Sequence, residues 1–189
     1  MHCFSYTAAM LTSSAHYKLS ITALALEAVP LQGQSPLAQL PRLAEEAVQG
    51  VVDGMVHFQA LGSMREDAAG KSVPWLQLQG QVDIELVCQR CLEPVSTRVQ
   101  FDREFRFVES EEAALAQDED SREDLLVISP QFDLLELVED ELLMALPVSP
   151  KHEKCPGDLK LSTADADFEA EAERPNPFAK LAQLKTPKS

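Results

Sequence analysis

The sequence predicts an α+β fold: a small antiparallel β-sheet with one long hairpin, packed by an N-terminal and a central amphipathic helix, with a flexible acidic loop and a C-terminal tail. Apolar and polar residues alternate on both sides of a Cys-x-x-Cys motif at residues 88–91, the pattern of two half-buried strands. An apolar stripe at helical spacing follows in residues 133–146. A chain of 189 residues with 45% apolar content is long enough for one domain with its own core.

The chain is predicted to have three regions. Residues 1–19 show no sustained period and are expected to form a disordered extension. Residues 20–157 are expected to form a single α+β domain, and residues 158–189 an acidic linker followed by a short C-terminal docking helix. The N-terminal helix of the domain is predicted around residues 37–48, where apolar residues recur at intervals of three and four after the cap-like pair Ser35-Pro36.

Three strands are predicted from alternation with a period of two, the first over residues 52–60. The other two flank the cysteine motif, and their inward-facing sets are Leu76, Leu78, Val82, Ile84 and Leu86 before it and Val95, Thr97, Val99, Phe101, Phe105 and Phe107 after it. Two long strands with a short connection predict an antiparallel hairpin with the cysteine motif at its tip. The first strand is expected to extend this sheet.

Residues 109–124 contain eight acidic residues against one basic residue, Arg122. This block has few apolar side chains to bury, so it is predicted to be a solvated, mobile loop. A short strand is predicted after it, over residues 125–128.

The central helix is predicted over residues 133–146, with Asp133 as the N-cap and Glu136 three residues later, as in a capping box. Its leucine-rich face is expected to pack against the sheet, although a helix that docks on a partner is an alternative. Its other face is acidic, and Glu136, Glu139 and Asp140 are candidate partner-binding residues.

A short helix is also predicted near the C-terminus, where Asn176 can cap it and a proline occupies its first turn. Phe178, Leu181 and Leu184 share one side of this helix and are candidate partner-binding residues. Because an isolated helix of this length is marginal in water, it is expected to dock, either on its own domain or on a partner.

The net charge limits the possible partners. With 31 acidic and 16 basic residues, the chain carries a formal charge of −15, which repels nucleic acid at long range. Contact with RNA is therefore expected through a basic protein partner or a small local patch, while a role of the charge in solubility alone is the alternative. No run of roughly 20 apolar residues and no secretory signal is found, so a cytoplasmic location without membrane contact is expected.

One constellation can carry metal chemistry: Cys88, Cys91, His152 and Cys155. A Cys-x-x-Cys pair at a hairpin tip is a common half of a tetrahedral zinc site, and His-x-x-Cys can supply the other half. Four protein ligands with no open position would make the zinc structural rather than catalytic. Reduced thiols that pack at the hairpin end are the alternative, and a redox pair is less consistent because such pairs need a helix N-terminus.

The sequence contains none of the common enzyme motifs for phosphate binding, dinucleotide binding, zinc proteolysis or serine hydrolysis. A magnesium-dependent hydrolase or nuclease would need carboxylates on rigid elements, whereas the acidic block is predicted to be mobile. A non-enzymatic protein is therefore predicted, with no catalytic residues.

Several segments together resemble the YceD family, described as the large ribosomal RNA subunit accumulation protein. They are Pro36-Leu-Ala-Gln-Leu-Pro-Arg-Leu-Ala-Glu45, Cys88-Gln-Arg-Cys91-Leu-Glu-Pro94, the acidic block, Asp133-Leu-Leu-Glu-Leu-Val-Glu-Asp-Glu-Leu-Leu-Met-Ala-Leu-Pro147, Pro150 and Asn176-Pro-Phe-Ala-Lys-Leu181. The resemblance covers about residues 25–185.

This resemblance implies a bacterial ribosome-biogenesis factor needed for the synthesis, processing or stability of 23S rRNA. The implied partners are ribosomal proteins or assembly factors of the large subunit, together with 23S rRNA or its precursor, contacted directly or indirectly. Some relatives carry a fuller cysteine set after the central helix, where this chain offers His152 and Cys155. A structural-zinc or thiol protein, whose Cys88/Cys91 hairpin is itself the functional site, is the competing interpretation.

Overall fold

The computed structural model describes residues 10–11, 17–48, 54–67 and 70–157. Residues Met1–Glu153 form one compact unit and Lys154–Ser189 a second one. The predicted C-terminal helix, with Phe178, Leu181 and Leu184, lies outside the described residues.

The described residues of the first unit form strands with helices between some of them. In chain order they are β1 (Met10–Leu11), β2 (Lys18–Leu19), α1 (Ile21–Glu27), β3 (Leu31–Pro36), α2 (Pro41–Glu46), β4 (Met55–Glu66), β5 (Ser72–Val87), β6 (Pro94–Val108), α3 (Glu111–Gln117), β7 (Asp124–Val127), β8 (Phe132–Asp133) and α4 (Leu134–Met144). In the described part of the chain, no helix combines the length and apolar character that a membrane span requires.

The main sheet has the strand order β1-β3-β4-β5-β6-β7, and β2 pairs with β8 in a separate ribbon. The three central pairings are antiparallel, whereas the two outer strands β1 and β7 pair in parallel. The long hairpin is confirmed, because β5 and β6 pair from Trp75↔Arg106 to Val87↔Pro94. The predicted third strand, β4, lies beside β5 and is longer than expected.

One face of the sheet forms the core. From residue 74 to residue 87 of β5, residues of even number, such as Leu76 and Leu78, are buried, whereas those of odd number are half-buried or exposed. Helices α1 and α4 contact the central strands, and α1 approaches β4 so closely that a Cβ at Gly62 would lie 2.6 Å from the backbone nitrogen of Ala25. The predicted α+β class, with helices packed on a mostly antiparallel sheet, is confirmed.

Residues near position 17 belong to the folded unit, so the prediction of a disordered extension through residue 19 is wrong for them. Tyr17 is 0% exposed, and its ring packs edge-on against Phe58 at 5.0 Å. Its hydroxyl donates a hydrogen bond to the backbone oxygen of Gln34 at 3.0 Å. A single aromatic residue that anchors an irregular segment leaves no periodic signal in the sequence.

The predicted helix over residues 37–48 is divided. A 3₁₀ turn over Leu37–Gln39 precedes α2, because Pro41 disfavours helical backbone at Leu40, whose φ and ψ are −113° and 81°. Helix α1 and strand β3 were not predicted; both are short, and neither has a pronounced period.

The acidic block is not a mobile loop along its whole length, which corrects the prediction for residues 109–124. Ser110 caps helix α3 by accepting a hydrogen bond from the backbone N–H of Ala113 at 3.2 Å. The buried Arg106 donates to Gln117 at 2.7 Å and lies 2.9 Å from a carboxylate oxygen of Glu123. The buried guanidinium of Arg106 on β6 therefore binds the acidic segment to the sheet, because this segment has few apolar side chains that could pack there.

The central helix is confirmed as α4, and Asp133 caps it by accepting a hydrogen bond from the backbone N–H of Glu136 at 3.2 Å. Glu139 on this helix is only 6% exposed, and its carboxylate binds other residues of the same chain. One carboxylate oxygen accepts from the backbone N–H groups of Arg42 and Leu43, at 2.8 and 3.2 Å. Since Leu40 has no polar side chain for capping, Glu139 supplies the N-terminal cap of α2.

Candidate metal centre

The tip of the long hairpin is a tight turn that holds both cysteines of the Cys-x-x-Cys motif. The backbone N–H of Cys88 donates to the oxygen of Glu93 at 3.0 Å, and that of Leu92 donates to the oxygen of Cys88 at 2.9 Å. Cys88 follows directly after β5, and Cys91 lies three residues before β6 begins at Pro94. The turn places the two side chains on one side of the tip, as Cys-x-x-Cys metal sites require.

The segment that follows α4 is bonded to this tip through Gln89 and Arg90. The backbone N–H of Gln89 donates to the oxygen of Pro150 at 2.8 Å. The Arg90 guanidinium donates to the oxygens of His152 at 2.7 Å and Glu153 at 3.4 Å. These three hydrogen bonds place a segment about sixty residues later in sequence beside the cysteine pair, and they fix the backbone of the predicted ligand His152.

All four predicted metal ligands come together. The ligand atoms of Cys88, Cys91, His152 and Cys155 lie within 4.8 Å of one another, so this group can hold a metal ion. The Cys91 sulfur lies 3.4 Å from Nδ1 of His152. Zinc bonds of about 2.3 Å to sulfur and about 2.0 Å to nitrogen place neighbouring tetrahedral ligands about 3.5 Å apart, which agrees with that distance.

The imidazole of His152 is oriented for coordination through Nδ1. Its Nε2 lies 3.0 Å from the backbone oxygen of Pro94. A carbonyl oxygen can only accept, so Nε2 carries a proton, and in the neutral imidazole the Nδ1 lone pair then faces Cys91. A ligating histidine commonly donates its other ring nitrogen to a carbonyl or carboxylate in this way, which fixes the tautomer and the ring orientation.

Cys88 has the environment of a thiolate. Burial raises its pKa, but nearby hydrogen-bonding groups of Cys91, His152 and Arg90 outweigh this effect, and the pKa is lowered to about 5. The residue is 0% exposed. A buried thiolate is costly without a compensating positive charge, and a metal ion would supply that charge.

Leu92 has an unusual conformation directly after the second cysteine of the motif. Its φ is +64°, in the left-handed region that favours glycine, and its side chain is 74% exposed. Replacing Leu92 with glycine should therefore increase the free energy of unfolding by about 0.5–1 kcal/mol. Urea denaturation would measure this, with Leu92→Ala as the matched control that keeps a Cβ and should show no gain. A loss of stability in the glycine variant would contradict the inferred strain.

The predicted partner-binding carboxylates do not belong to this group. Glu136 is exposed on α4, and Asp140 pairs with Arg42 at 2.6 Å. Sequence reasoning missed the contributions of Gln89 and Arg90, which bond the later segment to the tip. Their position between the two cysteines was the only available signal.

Comparison with known proteins agrees with the resemblance noted in the sequence. The family model described as large ribosomal RNA subunit accumulation protein YceD matches residues 76–185. A protein of that name from Haemophilus influenzae is 34% identical over 156 residues, which cover 78% of this chain and 82% of the relative. No solved structure matches the chain. The chain therefore belongs to the YceD family.

Proposed function

We propose that this chain is a non-enzymatic, cytoplasmic factor needed for the accumulation of 23S rRNA, through its synthesis, processing or stability. The observation that carries this proposal is family membership over most of the chain. The Haemophilus influenzae relative is named for the accumulation of the large-subunit ribosomal RNA, and the chain covers 82% of its length.

The acidic surface is proposed to contact basic proteins of the large ribosomal subunit or its assembly factors. The formal charge of −15 favours such partners electrostatically. Glu136 is exposed and remains a candidate contact, as do Phe178, Leu181 and Leu184. Glu139 is left out of this proposal, because its carboxylate is occupied by Arg42 and by the backbone of α2.

We further propose that the cluster of three cysteines and His152 binds one zinc ion. Three sulfur ligands and one imidazole nitrogen form a donor set typical of structural zinc, and four protein ligands leave no position open for a substrate. When bound, zinc would neutralise the thiolates and hold the segment after α4 to the hairpin tip. The centre is accordingly structural, and it shapes the surface around the tip.

Deletion of the gene from a bacterium that carries it is expected to lower the ratio of 23S to 16S rRNA and to deplete 50S particles. Quantification of both RNAs, with sucrose-gradient profiles, would measure this, and 16S rRNA serves as the internal reference. The wild-type gene on a plasmid should restore the ratio. An unchanged ratio and an unchanged subunit profile in the deletion strain would contradict the proposed function.

A further inference from the structure

A groove of about 570 Å³ crosses the face of the sheet that is turned away from the helices. Its lining residues come from β3, β4, β5 and β6, and none comes from a helix. Four of its lining residues are apolar, namely Gly33, Phe58, Gly80 and Phe101. The other eight carry polar side chains: Gln32, Gln34, His57, Gln59, Gln79, Gln81, Gln100 and Asp102. Six of the 13 glutamines in the chain are therefore concentrated in this one groove.

The floor of the groove follows a row of glycine and phenylalanine residues across four strands. Gly33 pairs with Phe58, Phe58 with Gly80, and Gly80 with Phe101. On the core face each ring covers a glycine, since a Cβ at Gly33 or Gly80 would lie 2.3 or 2.4 Å from the neighbouring ring. Glycine positions of this kind allow a sheet to bend. The polar side chains before and after this row form the two walls.

The two walls differ in their hydrogen bonding. In the first wall, Gln32 donates to Gln59 at 3.3 Å, and Gln79 donates to Asp102 at 2.8 Å. The second wall consists of Gln34, His57, Gln81 and Gln100, which lie side by side in the register of the four strands. Within the described residues, the side chains of this second wall, here called the amide row, make no hydrogen bond to the protein.

The uncharged amide groups of the groove would recognise a ligand through hydrogen bonds rather than through ion pairs. Its described lining residues include no lysine or arginine, so they are not suited to phosphate, and the one carboxylate among them, Asp102, is bonded to Gln79. Side-chain amides offer one acceptor and two donor hydrogens, the combination that pairs with the edges of nucleobases. Unstacked bases of single-stranded RNA present these edges to proteins.

We infer that the amide row binds the bases of single-stranded RNA, with the phosphates directed away from the sheet. This orientation leaves the phosphates in solvent, where ions screen their repulsion from a molecule with a formal charge of −15. The choice of RNA as the ligand rests on the proposed function, and the groove gives that function a direct RNA contact.

The test uses the full-length chain and fluorescently labelled single-stranded RNA 12-mers of A, C or U, with binding followed by fluorescence anisotropy. At least one 12-mer should bind, and Gln81→Glu should weaken that binding about tenfold, because a carboxylate cannot donate to a base edge. Gln131→Glu is the matched control, since it adds the same charge at an exposed site outside the groove and should bind like the wild type. Gln81→Ala, which adds no charge, should also weaken binding.

Salt dependence and a competing ligand complete the test. Because the bases rather than the phosphates make the contacts, the slope of log K against log salt should be shallower than that of one phosphate contact, about −0.7. The inference is overturned if no 12-mer binds, if the two glutamate variants lose binding equally, or if the slope is steep. It is also overturned if a lysine-rich peptide, but no RNA, occupies the groove.

Complementation separates this inference from the proposed function. In the deletion strain, Gln131→Glu should restore the ratio of 23S to 16S rRNA, whereas Gln81→Glu should not. If the deletion lowers the ratio and Gln81→Glu restores it fully, the groove is not the RNA contact and the proposed function still holds. If the deletion leaves the ratio unchanged, the proposed function itself fails.

Discussion

Replacement of Cys88 with serine is expected to abolish zinc binding and to lower the free energy of unfolding by more than about 3 kcal/mol. Zinc binding contributes about 10–16 kcal/mol in finger peptides, and a protein with its own core should lose a part of that amount. Cys88 is fully buried between the hairpin and the segment after α4, so its loss both removes a ligand and leaves the remaining thiols without a compensating cation.

Thermal unfolding with and without a strong chelator would measure this effect. Chelator should bring the wild-type melting curve down to that of Cys88→Ser and should leave the variant unchanged. Cys3→Ser is the matched control, because Cys3 is not one of the four proposed ligands and the variant should keep the metal. Identical melting curves for wild type and Cys88→Ser, both insensitive to chelator, would show that the thiols only pack at the hairpin end.

Replacement of Glu139 with alanine is expected to lower the free energy of unfolding by about 2–4 kcal/mol. The carboxylate accepts from the Arg42 guanidinium at 3.1 and 2.9 Å, and also caps the N-terminus of α2. The cost should be below that of a fully buried pair, because the Arg42 side chain is about half exposed and remains partly solvated after the change.

Asp140→Ala is the matched control for this substitution. It removes the neighbouring ion pair with Arg42, but its side chain is 45% exposed, so the expected loss is below about 1 kcal/mol. Urea unfolding of both variants would compare them directly. Equal effects of the two substitutions would contradict the capping role of Glu139.

The predictions that held are those with a local physical signal. Strict alternation on both sides of Cys88 and Cys91 fixes the faces of β5 and β6, and a one-residue slip would expose the whole apolar set. Asp133 followed by an apolar stripe at helical spacing identifies α4 without knowledge of its neighbours.

The acidic block shows what a count of charges overlooks. Ser110 can cap a helix, and the alanines that follow it favour one, but the eight carboxylates of the block are typical of a disordered segment. Arg106 binds the acidic block to the sheet, and its position on β6 opposite Trp75 depends on strand register. No local property of the block contains that information.

The candidate site was predictable in its residue types but not in its assembly. Cys-x-x-Cys and His-x-x-Cys are visible in the sequence, while the bonds from Gln89 and Arg90 that bring His152 to the tip depend on where α4 ends in space. The amide row was missed for another reason. Outward-facing strand residues such as Gln81 are normally read as solvated, and only the register of four strands places them side by side.

The metal content of the chain tests the account of its centre most directly. Native mass spectrometry of the full-length protein, purified without chelator or added metal, should show one zinc ion per chain. Denaturation in acid should remove that mass, and refolding with one equivalent of zinc should restore it. Protein that carries no zinc when isolated, and that takes up none on refolding with zinc, would contradict the assignment of Cys88, Cys91, His152 and Cys155 as a closed metal centre.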